Sequence, residues 1–94
     1  MALTITKEAA NWYIQELELK QGDYLRFFGK VYGPHNGFSV GINKQSPDDI
    51  FFEVQLNGVH FYVEKFDEWF FNGQYLEVTM REDGYEPVTK FVAK

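Results

Sequence analysis

Cysteine is absent from the chain. Without it there can be no disulfide, no thiolate nucleophile and no thiolate metal ligand, which removes more chemistry than any other feature of the composition. Cations are scarce too: nine Lys and Arg against fourteen Asp and Glu leave a formal charge of −5 and an isoelectric point near 4.9. A surface that tracks phosphates needs clustered Lys and Arg, so nucleic acid is not an expected partner. No apolar run approaches the roughly 20 residues of a membrane-spanning helix, and the stretch from Met1 to Lys7 has neither the basic region nor the apolar core of a signal peptide. The expected location is the cytoplasm, with no membrane partner. Catalytic motifs are also missing. Gly33 and Gly37 are not followed by the Lys-Ser of a phosphate loop, no Asp-x-Asp-x-Asp-Gly calcium loop occurs, and Ser39 and Ser46 lie in no Gly-x-Ser-x-Gly elbow with an acidic orienter. An enzyme is not expected.

What the chain has in abundance is aromatic residues, 19% of its 94 positions, with ten Phe, six Tyr and two Trp. Aromatics favour strands and bury large areas, and this length suits one core, so a single strand-rich domain over residues 1–94 is expected. One amphipathic helix is predicted from Ile5 to Leu19, capped by Thr6, with Glu8 in its first turn, Ala10, Tyr13 or Ile14, and Leu17 at helical spacing, and Gly22 closing it. From Asp23 to Tyr32 the period changes to two, setting Leu25, Phe27 and Val31 on one face and Tyr24, Arg26, Phe28, Lys30 and Tyr32 on the other.

The segment from Gly33 to Gly37 reads as a turn, followed by a strand through Phe38, Val40 and Ile42. After a polar stretch with a turn at Ser46-Pro47-Asp48-Asp49, runs from Ile50 to Leu56 and Val59 to Val63 flank Asn57-Gly58, the strongest short signal for a type I′ hairpin. A short helix is predicted from Glu64 to Phe71, then strands from Tyr75 to Met80 and Val88 to Val92 joined by a polar loop. The sum is an N-terminal helix, five or six strands and a second short helix.

Three pieces in order resemble the HesB/IscA family of iron-sulfur assembly proteins: the helix entry Thr4-Ile5-Thr6-Lys7-Glu8-Ala9-Ala10, the central Gly33-Pro34-His35-Asn36-Gly37-Phe38-Ser39, and the Asn57-Gly58 hairpin running through Phe61-Tyr62-Val63 into the short helix. Phe27-Phe28 and Asp67-Glu68-Trp69-Phe70-Phe71 look most similar to the YneR-like subgroup of Gram-positive bacteria. The resemblance implies the family fold: α+β, a mostly antiparallel β pseudo-barrel or sandwich with a helix packed against it. It also marks a departure. The family's central Gly-Gly-Cys-Ser-Gly-Phe becomes a frame with His35 at the first ligand cysteine, and its C-terminal Cys-Gly-Cys has no counterpart before Phe91-Val92-Ala93-Lys94.

The candidate binding loop is therefore Gly33, His35, Asn36, Gly37 and Phe38. His35 is the sharpest metal candidate, because imidazole can replace thiolate on iron or zinc; the plainer reading is a solvated side chain in a turn. His60, opposite Val59 and Phe61 on its strand, suits cross-strand pairing. Glu64, Asp67 and Glu68 read as a solvated helix face rather than a hard-metal site. Trp69, Phe70 and Phe71, with Trp12 and Tyr13, form either core or a partner surface. The resemblance implies an accessory protein related to iron-sulfur assembly, with cysteine-dependent cluster binding lost, metal or protein binding near His35, and either a homo-oligomer or a partner in iron-sulfur metabolism. The alternative is a structural or protein-interaction module with no metal.

Overall fold

A computed structural model describes residues 3–32, 37–71 and 73–93, with side chains described outside 30–39 and 70. Strand β1 (Leu3–Ile5) leads into helix α1 (Lys7–Glu16), and four strands follow: β2 (Tyr24–Tyr32), β3 (Gly37–Lys44), β4 (Ile50–Leu56) and β5 (Val59–Glu64). A 3₁₀ turn (Lys65–Asp67) runs directly into the one-turn helix α2 (Glu68–Phe71), and β6 (Gln74–Met80) and β7 (Pro87–Ala93) complete the order.

The strands form two mixed sheets, β1-β6-β7 and β3-β2-β5-β4. Hairpins β2–β3, β4–β5 and β6–β7 are antiparallel, while β1 runs parallel to β6 and β2 parallel to β5. The α+β, strand-rich expectation holds. Missed were β1 and the parallel pairings, since three residues of strand ending on a helix cap carry no alternation to read.

Helix α1 is shorter than expected. Thr6 caps it, its Oγ1 accepting the Ala9 amide at 3.2 Å, but Ile5 belongs to β1. At the other end Leu17 is the C-cap and Glu18 takes a positive φ of 51°. Gly22 does not close the helix. At φ 93° its N–H donates to the Gly58 carbonyl at 2.7 Å, tying the chain after α1 to the β4–β5 turn. In that turn Asn57 and Gly58 both have positive φ, as a type I′ hairpin requires.

The core lies between the sheets and α1. Leu25 and Phe27 of β2, Val59, Phe61 and Val63 of β5, and Leu76 and Val78 of β6 are fully buried with Leu3, Ala9 and Ala10. Tyr13 points into it from α1, its ring edge-on to Phe27 at 5.6 Å. Trp12 packs edge-on against Tyr13 and donates Nε1–H to the Tyr85 carbonyl at 2.9 Å, so it fastens α1 to the β6–β7 loop.

Candidate functional site

Because β2 and β5 bury Leu25, Phe27, Val59, Phe61 and Val63 inward, alternation sends Tyr24, Arg26, His60, Tyr62 and Glu64 to the opposite face of the four-stranded sheet. That face is neither bare nor apolar. His60 stacks on Tyr24, its register partner, with centroids 4.3 Å apart, and its Nδ1 lies 3.2 Å from Glu53 Oε2 without hydrogen-bond geometry. His60 was expected to pair across strands in the open; the pairing is found, but the side chain is mostly covered.

The loop 45–49 folds over this face and is pinned by β5. Tyr62 donates its O–H to the Gln45 carbonyl at 2.9 Å, and the two Glu64 oxygens accept the amides of Asp48 and Asp49, each at 2.9 Å. Burial, with Glu64 adding a smaller push, moves the Tyr62 phenol up to about 12. Next along the chain, Asp67 Oδ2 accepts both Nε and Nη2 of Arg26 at 3.2 and 2.6 Å, and the guanidinium also lies over the Phe28 ring.

These contacts correct two expectations. Glu64 and Asp67 are not a solvated acidic face: they are 4% and 3% exposed, each held by its own donors. The aromatics of the same segment are not all core either. Phe71 is buried, but Phe66 is 80% and Trp69 56% exposed. Residues 64–71 thus turn the Glu64 and Asp67 carboxylates inward with Phe71, and the Phe66 and Trp69 rings outward with Lys65 and Glu68. Beside Phe66 a shallow cleft of about 440 Å³ opens, walled by Arg26, Asp48, Asp49, Glu64 and Lys65. A second cleft of about 320 Å³ lies across Gln45, where Lys44 Nζ sits 3.3 Å from Asp23 Oδ2. The Lys20 amide donates to Asp23 and, with Lys44, holds its carboxyl below the usual range, against some opposing desolvation.

Of the sequence-derived site, Gly33, His35 and Asn36 lie outside the described residues. Gly37 and Phe38 begin β3, in register with Tyr32 and Val31. Among the described residues no three His, Asp or Glu side chains converge as metal ligands, the Glu64, Asp67 and Glu68 group included. A cluster of the kind that the family holds does not fit this chain, which has no cysteine thiolate to ligate it. Sequence reasoning did not find the site on the outer face. The one available signal was Arg26 on a sheet face otherwise rich in aromatics.

Comparison with known proteins adds the family. No family model matches the chain. Over 94 aligned residues it is 38% identical to the "Pyruvate dehydrogenase inhibitor" of Bacillus subtilis (strain 168), covering 97% of this chain and 99% of that protein. The chain belongs to that protein's family. An uncharacterized protein of Staphylococcus saprophyticus is similar to this chain at 27% identity, over 95% of this chain and 96% of its own length. In structure, the chain resembles Escherichia coli SufA, involved in biosynthesis of iron-sulfur clusters, with a TM-score of 0.63 and 24% identity over 97% of this chain and 79% of SufA. It also resembles IscA solved with its 2Fe-2S cluster, with a TM-score of 0.57 and 22% identity over 97% of this chain and 81% of IscA. The fold is HesB/IscA-like, as the sequence resemblance implied.

Proposed function

We propose that this protein is a non-enzymatic inhibitor of pyruvate dehydrogenase that acts by binding it, using a HesB/IscA-like scaffold from which sulfur ligation has been lost. The observation that carries the reading is the 38% identity to the Bacillus inhibitor over nearly the full length of both chains. Two features agree with it. The chain has no cysteine with which to hold a cluster, and its outer sheet face is a pinned surface with exposed rings rather than an enclosed cavity with convergent catalytic groups. We also place the chain in the YneR-like branch, on its Asp67 to Phe71 segment.

A role in iron-sulfur assembly rests on fold, and fold alone does not carry function. The deciding experiment titrates the purified protein into pyruvate dehydrogenase from the same organism and follows its activity. Saturable inhibition near stoichiometric protein is expected. Full activity at a large excess of the protein would sink the proposal.

A further inference from the structure

The segment 64–71 buries two carboxylates, Glu64 and Asp67, and exposes two large rings, Phe66 and Trp69. Helical segments ordinarily do the reverse. Here Glu64 is fixed by two backbone amides, Asp67 by the Arg26 guanidinium, the Lys65 N–H by the Asp49 carbonyl at 2.8 Å, and Phe71 by the core. Phe66 and Trp69, three positions apart and so on neighbouring faces of the turn, are therefore held out on an anchored platform. A surface ordered before its partner arrives loses less freedom on binding.

The charge around the rings has one sign. Arg26 is neutralised by Asp67, while Glu64, Asp48 and Asp49 line the adjoining cleft against the single ammonium of Lys65, and the exposed Glu68 adds to the rim. The Asp48 and Asp49 carboxylates make no ion pair among the described residues. A second copy of this chain, with the same −5 charge, would set carboxylates against carboxylates across a two-fold contact. Building on the inhibitor reading above, we propose that Phe66, Trp69 and the Asp48–Asp49 cleft dock a basic segment of pyruvate dehydrogenase. One Lys or Arg of that segment enters the cleft, and an aliphatic or aromatic neighbour packs on the two rings.

The test measures binding of pyruvate dehydrogenase from the same organism to the full-length protein, and inhibition alongside it. The variants are the pair Phe66→Ser with Trp69→Ser, the pair Asp48→Asn with Asp49→Asn, and Tyr85→Ser, which removes an exposed ring on the β6–β7 loop. The altered side chains are exposed, Trp69 by about half, and the asparagines keep the amides that Glu64 accepts; should loss of the Trp69 ring lower the melt of the pair, Phe66→Ser alone, at the 80% exposed ring, carries the test. Loss of the two rings should weaken binding about thirtyfold, the usual scale for aromatic anchors. The asparagine pair should weaken it about fivefold and flatten its salt dependence, while Tyr85→Ser should bind as wild type does. Wild-type binding that survives loss of both rings overturns the docking site and leaves the inhibitor reading standing; so does equal weakening by Tyr85→Ser, which would mean general stickiness. A wild type that neither binds nor inhibits overturns both. If sedimentation shows a self-associated wild type that the ring variants dissociate, the occupant is a second copy and the proposal fails.

Discussion

Burial pushes the phenols of Tyr13 and Tyr62 from 10.0 up to about 12, and the Glu64 charge adds to the effect at Tyr62. Tyr13 stands in the core against Phe27, and Tyr62 lies under the 45–49 loop, so neither phenolate could be hydrated in the native state. The folded values exceed the unfolded one, so between about pH 10 and 12 the native state keeps protons that the unfolded chain has released. Stability is then intact below about pH 10 and falls as pH rises through about 12, by on the order of 2 to 3 kcal/mol per phenol. Urea midpoints should hold steady to about pH 10 and then drop steeply, and Tyr13→Phe, measured against its own neutral-pH stability, should drop less. An alkaline limb unaltered by Tyr13→Phe would mean that this phenol is not protected from water by the fold.

At the scale of elements, the 64–71 segment departs furthest from pattern. Asp67→Ala leaves the Arg26 guanidinium, which is mostly shielded from water, without its anion, and should cost about 2 to 4 kcal/mol in chemical denaturation. Glu68→Ala, one residue on and exposed, should stay within about 0.5 kcal/mol of wild type. Equal effects of the two would refute the inward anchoring. The sequence left Trp69, Phe70 and Phe71 open between core and partner surface, and the inward carboxylates were not legible in it, because a carboxylate's partner cannot be named when it lies 41 positions away. Local chemistry was legible. Thr6 as a cap and Asn57-Gly58 as a hairpin need only their neighbours, and both were found where expected. Strand β1 and the β2–β5 pairing depend on distant partners, as does the bond from Gly22 to Gly58, so spacing could not show them. The expected binding loop shows the same limit. Glycine spacing marks Gly33 to Gly37 as a turn, though Gly37 already opens β3, and it does not say what His35 would meet there.

Seen whole, the molecule shares the fold of SufA and IscA with an apolar interior that contains no thiol: Leu25, Phe27, Phe61, Leu76 and Val78 close it by packing. Iron-sulfur clusters are held by cysteine thiolates, with histidine replacing some of them in certain centres, and structural zinc takes about four ligands. This chain contains two histidines and no cysteine. His60 is stacked on Tyr24 beside Glu53, and the other histidine, His35, lies outside the described residues. One imidazole supported only by oxygen ligands is a weak iron site, so anaerobic incubation with iron and sulfide should produce no stable chromophore after desalting. Protein stripped by a chelator and then dialysed should melt at the same temperature and keep the inhibition of pyruvate dehydrogenase proposed above, and His35→Ala should match wild type in both respects. A coloured protein carrying stoichiometric iron that disappears in His35→Ala would move the proposed site from the Phe66 surface to the Gly33 to Phe38 loop, and the fold would then hold iron with a different ligand.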